Sequence, residues 1–419
     1  MQHLSSPEPR HPARERALLL TLAGIQFAHI LDFMIMMPLG PILMRELGVG
    51  THEFGLLVSS YTCSAACTGL LAAAFVDRFE RKRLLLTLFA LFALATVACG
   101  LAPGYWTLLV ARGTAGAFGG VLGSLVQTMI GDLIPFERRG RASGTVMSAF
   151  SLSSVAGVPL SLYLANHFGW RSAFFFIAML ACGLLLLGWR ILPALRGHLP
   201  TATISGAERA QPLASMAAVL RDGNHLRALV FMALMMISGF CVIPYITIYL
   251  TANVGVRVED IPLIYLFGGC ATLLSSRLVG RLADDHGKVR VYRAMALCSM
   301  LPLMVQTQLW PVPPWLAVLC TTLFFVFVPG RMVPAMTIVT SAAQPRLRGT
   351  FLSMNGAVQQ LASGGASWLG GAMIAADASG HITGYNHVGW LAVGASFVAI
   401  AFVGQIHMHT GKPPGVGTP

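Results

Sequence analysis

The chain has 419 residues, of which 55% are hydrophobic and only 11% charged, and its net charge is +12. That is too little charge to cover a soluble protein of this size. The basic excess could suit a nucleic-acid binder, but it lies in short clusters between long apolar stretches, the pattern of a chain whose solvent is lipid.

Residues 1–16 are polar and basic. The segment after them is too long, and too interrupted by Asp32, for a cleaved secretion signal, so it reads as a first membrane span. Apolar spans then follow at 17–41, 54–76, 84–102, 105–130, 142–166, 171–190, 227–252, 260–283, 290–309, 315–340, 350–375 and 388–409, counting that first one. Each reaches or approaches the ~20 residues needed to cross bilayer hydrocarbon. An all-α membrane protein of twelve transmembrane helices is therefore expected. The amino tail and alternate loops hold most of the Lys and Arg, among them Arg78, Arg81, Lys82, Arg83, Arg138, Arg139, Arg141, Lys288 and Arg290, whereas the opposite loops hold Arg45, Arg171 and Arg257. The positive-inside rule then places both termini in the cytoplasm. Trp106, Trp170, Trp310, Trp315 and Trp390 fall at the outer boundary, as an interfacial belt would. All eight cysteines lie inside apolar spans and read as small packing residues.

The longest inner connection, 193–226, separates a first six-helix bundle (17–192) from a second (227–410), with 1–16 and 411–419 as cytoplasmic tails. Within it Leu213, Met216, Val219 and Leu220 share one helical face, which suggests a short amphipathic helix on the membrane surface. The two halves repeat each other. After the second span stands Asp77-Arg78-Phe79-Glu80-Arg81-Lys82-Arg83, and after the eighth Gly280-Arg281-Leu282-Ala283-Asp284-Asp285-His286-Gly287-Lys288-Val289-Arg290. Arg139-Gly140 precedes the fifth span and Arg348-Gly349 the eleventh, while the fourth and tenth each carry one arginine, Arg112 and Arg331. Features recurring in one order suggest a duplicated six-helix unit, a known plan of membrane carriers.

Over the whole chain these residues resemble the major facilitator superfamily. The Gly280–Arg290 segment looks like that family's loop signature, Gly-x-Leu-Ala-Asp-Arg-x-Gly-Arg-Lys-Arg, with Asp285 in place of the first Arg, and the copy at Asp77 has Ala73 and Glu80 where glycines are usual. Arg112 with Gly116 looks like the fourth-helix motif. Gly157-Val158-Pro159-Leu160-Ser161, followed by Phe168-Gly169-Trp170-Arg171, is similar to the fifth-helix motif of the proton-coupled drug and sugar efflux branch, with Ser161 where that branch has glycine. The resemblance implies two pseudo-symmetric bundles with alternating access. It implies a latch in which Asp77 caps the amino end of the eleventh helix, whose partial positive charge suits a carboxylate. Arg78, Gly280, Asp284 and Gly287 would belong to the same loops, and Arg81 would reach Asp132. The other reading of these loops is simple retention of positive charge. Gly157 and Pro159 would permit close packing or bending.

Of the sixteen acids only Asp32 lies deep in an apolar span. Such a carboxylate faces a cavity or a partner by default. Gln26, His29 and Asp32 recur every three residues on one face. At 1.5 Å per residue, Asp32 and Arg112 both sit roughly 10–14 Å below the outer surface, so they can pair. Pairing favours the charged carboxylate and burial the neutral one, a balance that suits a proton carrier. A permanent structural ion pair is the alternative. His29 could relay protons or merely pack, and no metal site is expected. Arg331, between Pro329 and Pro334, either meets an anionic or polar substrate group or bonds carbonyls freed by the prolines. Tyr61, Tyr245, Tyr249, Asn355, Gln359 and Gln360 are offered as further cavity contacts beside Gln26.

No His-Glu-x-x-His, Gly-x-Ser-x-Gly or phosphate-loop motif occurs, so no enzyme and no cofactor are expected. The leading expectation is a monomeric, proton-coupled exporter of a small molecule in a bacterial-type inner membrane, with protons, substrate and lipid as partners and no nucleic acid. Uptake by proton symport or facilitation stays open, as does a sensor that binds ligand without moving it.

Overall fold

A computed structural model describes residues 12–75, 79–193, 212–344 and 347–408. Among them the helices run α1 (Pro12–Ile35), α2 (Gly40–Leu47), α3 (Thr51–Phe75), α4 (Arg81–Leu101), α5 (Tyr105–Leu133), α6 (Phe136–Leu152), α7 (Val158–Phe168) and α8 (Arg171–Ile191) in the first half. The second half has α9 (Pro212–Arg221), α10 (Gly223–Phe240), α11 (Ile246–Tyr249), α12 (Ile261–His286), α13 (Lys288–Thr307), α14 (Pro314–Gly330), α15 (Met332–Ala342), α16 (Arg348–Met373) and α17 (Tyr385–Val403). Joined through their breaks, these make twelve units of membrane length. Ten are long and apolar enough to cross a bilayer on composition alone. The other two are α13, which opens on Lys288, Arg290 and Arg293, and α16, which carries Asn355, Gln359, Gln360 and Ser363.

Several expected spans are broken, and proline causes the breaks. The first ends at Ile35, and the chain turns through Pro38 into α2, which closes on Gly48 in the left-handed region (φ 63°). The fifth contains a widened π turn, Ser153–Gly157, just before Pro159, whose missing N–H cannot close an ordinary turn. Gly157 lets α1 approach there, since a Cβ would lie 2.9 Å from a Leu31 methyl and 3.0 Å from Phe27. The seventh unwinds between Phe240 and Ile246 around Pro244. The tenth stops at Arg331, between Pro329 and Pro334.

We call the side bearing Pro12 and Met408 the termini side. On the far side the two bundles share one apolar core, in which Leu31, Phe54, Trp170 and Phe174 pack with Tyr245, Leu303, Phe324 and Tyr385. On the termini side the cores separate. One belongs to the first bundle (Leu22, Phe89, Met129), the other to the second (Phe231, Tyr292, Phe351), touched across the divide by Leu70. Far-side hydrogen bonds also cross between bundles. Thr51 Oγ1 donates to the Ile374 carbonyl at 2.7 Å and Asn166 Nδ2 to the Val258 carbonyl at 3.3 Å.

Two sequence expectations need correction. Trp170 is not part of the interfacial belt. It is 2% exposed, packed edge-on against Phe174, with the Arg171 guanidinium 4.5 Å from its ring centre. Trp106, Trp310, Trp315 and Trp390 are exposed, as the belt requires. The α9 segment, expected on the membrane surface, instead buries Val219 and part of Met216 in the second bundle and leaves Leu220 exposed.

Candidate functional site

Small residues on α5 make the site possible. At Gly116 and Gly120 a Cβ would collide with the backbone of Tyr61 and Ala65, so α3 lies directly on that face. Over the next turns α1 presents its polar face, with His29 Cδ2 3.1 Å from the Cβ position of Gly119 and Gln26 Nε2 3.6 Å from that of Gly123. Arg112, at the far-side end of this glycine face, reaches Asp32. One guanidinium nitrogen donates to Asp32 Oδ2 at 2.8 Å and to the Asp32 carbonyl at 3.2 Å. Thr96 Oγ1 on α4 donates to Oδ1 at a longer 3.4 Å. The Tyr61 ring lies under the guanidinium, 4.5 Å from its carbon, a cation–π contact. Both charged residues are fully buried. Depth alone led to this pairing in the sequence, and the structure makes it.

Around the pair several buried polar atoms have no hydrogen-bond partner among the described residues: Gln26 Oε1, His29 Nδ1, Tyr61 Oη and Arg112 Nε; on α16, Asn355 Oδ1 is likewise unpartnered. Buried polar groups in folded proteins are nearly always paired, so each of these atoms calls for a hydrogen-bonding partner that the described residues do not supply. Phe33 joins this site to the second bundle, with ring centres 5.6 Å from Tyr61 and 6.0 Å from Phe240.

The other expected contacts are placed differently. Arg331 is 1% exposed and turned into the second bundle, where it donates to Ser396 Oγ at 2.8 Å, Ser238 Oγ at 2.9 Å and Ser299 Oγ at 3.3 Å. It touches neither freed carbonyls nor the polar face of α1, and no carboxylate reaches it among the described residues. The serines pass their protons to backbone carbonyls, Ser238 to Ala392 and Ser299 to Ala296. Tyr245 and Tyr249 are also committed internally, to the carbonyls of Ser367 and Leu309. Gln359 Nε2 lies 3.9 Å from the Met336 sulfur.

On the termini side Arg81 Nε stands 3.5 Å from Asp132 Oδ2. Asp77 and Arg78 lie outside the described residues. Asp284 is exposed, Gly280 half-buried, and Gly287 takes the positive φ (92°) that turns α12 into α13. Sequence reasoning missed Thr96 and the serines around Arg331. The repeat could have found Ser238, which stands 206 residues after Asp32, much as Asp284 follows Asp77. Among the described residues no group of His, Cys, Asp or Glu could hold a metal ion.

Two six-span bundles with charges buried between their helices define a class, the carriers that move solutes across membranes. A family model described as Major Facilitator Superfamily matches residues 22–367. A probable sugar efflux transporter of Helicobacter pylori is 31% identical over 255 residues, 60% of this chain and 62% of that relative, so the match spans less than two thirds of the relative's length. The uncharacterized MFS-type transporter YbcL of Bacillus subtilis is 23% identical over 373 residues, 88% of this chain and 90% of the relative. Among solved structures, a D-xylose-proton symporter superposes with a TM-score of 0.73 at 19% identity, covering 95% of this chain and 98% of the other. A bacterial homolog to the human lysosomal transporter Spinster, inward-facing and occupied, gives 0.73 at 15% identity, covering 95% and 97%. These two likenesses concern the fold. The chain belongs to the Major Facilitator Superfamily.

Proposed function

We propose that the protein is a proton-coupled antiporter that exports a small molecule, a sugar or another polar metabolite or drug, across a bacterial-type inner membrane by alternating access. The observation that carries the reading is Asp32, a carboxylate inside an apolar span, held by one arginine beside unpartnered groups of His29, Gln26 and Tyr61. Protonating Asp32 removes the charge that Arg112 meets and leaves the guanidinium on the Asp32 carbonyl and the Tyr61 ring. Proton arrival is thereby coupled to how α1, α3 and α5 pack. His29, one turn nearer the termini side, is suited to deliver the proton, while Gln26 and Asn355 offer hydrogen bonds to a polar substrate. The sugar efflux relative favours export of a hydroxyl-rich compound.

The bundles divide at 17–192 and 227–410 in this reading, with the termini side facing the cytoplasm and the shared far-side core closing the outer gate. Asp77, Arg78, Arg81 and Asp132 act together as the inner latch. The test is purified protein in proteoliposomes with an imposed pH gradient and a panel of labelled sugars, drugs and carboxylates. Gradient-driven movement of a substrate, lost in Asp32→Asn while gradient-free exchange persists, is the expected result. Full pH-driven transport by Asp32→Asn would put the proton elsewhere, and accumulation with the proton flow would make the protein a symporter.

A further inference from the structure

On the termini side, a cleft of about 430 Å³ opens between the start of α1 and the first turns of α6. Its polar wall carries Glu15, Arg16, Arg138 and Arg141, and its apolar wall Leu19 and Leu20. Glu15 is already bound, to Arg138 at 3.0 Å. Arg16 and Arg141 are both exposed, and neither has a carboxylate partner among the described residues. Their position along the chain is informative. The apolar stretches of the first and fifth spans begin at 17 and 142, directly after Arg16 and Arg141, so both guanidiniums stand where hydrocarbon gives way to head groups. Beside them Leu20 is 65% exposed and faces outward.

We propose that this cleft binds the head group of an anionic phospholipid, with Arg16 and Arg141 on its phosphate and Leu19 and Leu20 against the first part of an acyl chain. Guanidinium matches a phosphate with paired donors, and a cation pair at this depth lies in the plane of lipid phosphates. The apolar wall is what a free phosphate ion would not use. The site lies between α1, which carries Asp32, and the segment leading to the Gly157–Pro159 bend, so a bound lipid ties together two helices of the first bundle. The proposal does not depend on the direction of transport or on the coupling ion.

The test uses the full chain in detergent micelles, titrated with phosphatidylglycerol or phosphatidylcholine and read by native mass spectrometry. Preferred binding of phosphatidylglycerol is expected. Its affinity should fall about fivefold in Arg16→Ala or Arg141→Ala and about thirtyfold in the double variant. Arg16→Lys and Arg141→Lys should recover most of the loss. Thermal unfolding of each variant, matched to wild type, shows that folding is intact at these exposed positions. Leu20→Gln should weaken the lipid while leaving weak competition by millimolar inorganic phosphate unchanged. Equal binding of the two lipids, undiminished binding in the double alanine variant, or complete displacement by inorganic phosphate at the lipid's own concentration would each overturn the proposal.

Discussion

Replacing Arg112 by Met tests the buried pair most directly. Asp32 would then keep one side-chain hydrogen bond, the 3.4 Å contact from Thr96, in a site with no solvent exposure. Stranding one member of a buried ion pair costs about 3–5 kcal/mol. Asp32→Asn strands Arg112 in the same way, although the Asp32 carbonyl at 3.2 Å and the Tyr61 ring still engage the guanidinium, so its cost should sit at the low end of that range. The double variant Asp32→Asn/Arg112→Met has no stranded charge, and a coupling of about 3 kcal/mol is expected, more than a hundredfold in the unfolding constant. Equilibrium unfolding in mixed micelles, followed by tryptophan fluorescence, measures all four corners of the cycle. Single losses that add to within about 0.5 kcal/mol would show that the two residues do not act on each other, and the coupling mechanism drawn from them would fall.

Arg331 should behave oppositely, because its partners are neutral hydroxyls bonded to backbone carbonyls. Arg331→Met should cost less than about 2 kcal/mol or even stabilise, and a loss as large as that of Arg112→Met in the same unfolding assay would refute this. Thr51→Val removes a cross-bundle hydrogen bond of 2.7 Å on the far side. At about 1 kcal/mol it should raise the far-side-open population about fivefold, read as longer spin-label distances between α2 and the 375–383 hairpin. Asp77→Asn should slow transport with binding largely kept, and unchanged label distances between the termini-side ends of α3 and α16 would dispose of the latch. In the hairpin loop, the Ser379 hydroxyl, with the amides of Ser379 and His381, holds the Asp377 carboxyl below its ordinary 3.8. Its contribution to loop order is therefore full above about pH 4 and fades only as pH falls through the lowered value. Hydrogen exchange at His381 should show protection unchanged from pH 7 to 5.

The spans were legible because hydropathy is summed over some twenty residues, and the meeting of Asp32 with Arg112 was legible because helical rise is fixed. What failed is whatever depends on rotation about a helix axis. Trp170 lies at the depth of an aromatic belt but is turned inward, and depth carries no azimuth. Val219 lies on an apolar face that suits lipid and protein equally, and the choice of protein is made by the second bundle. Arg331 looked like a ligand contact since no acid stood at its depth. Serine hydroxyls, common in membrane helices and able to bond their own backbone, left only one sequence signal of the cage they build, the repeat spacing of Ser238 from Asp32. Proline marked the bends in spans 5 and 10, but not that the first would be a π turn, and the breaks at Pro38 and Pro244 went unread.

The hydroxyl cage also has an electrical consequence. Asp32 and Arg112 move together as a neutral pair, whereas Arg331 carries a charge that no carboxylate among the described residues cancels. Any displacement of the second bundle along the membrane normal therefore does work against the transmembrane voltage. At about 2.3 kcal/mol per charge across 100 mV, carrying Arg331 through a tenth of the field is worth roughly 0.2 kcal/mol. That tilts the balance between the two faces without dictating it. The resting potential thus acts on this charge, and replacing Arg331 by a neutral side chain would remove that residue's share of the gating current while leaving Asp32 untouched.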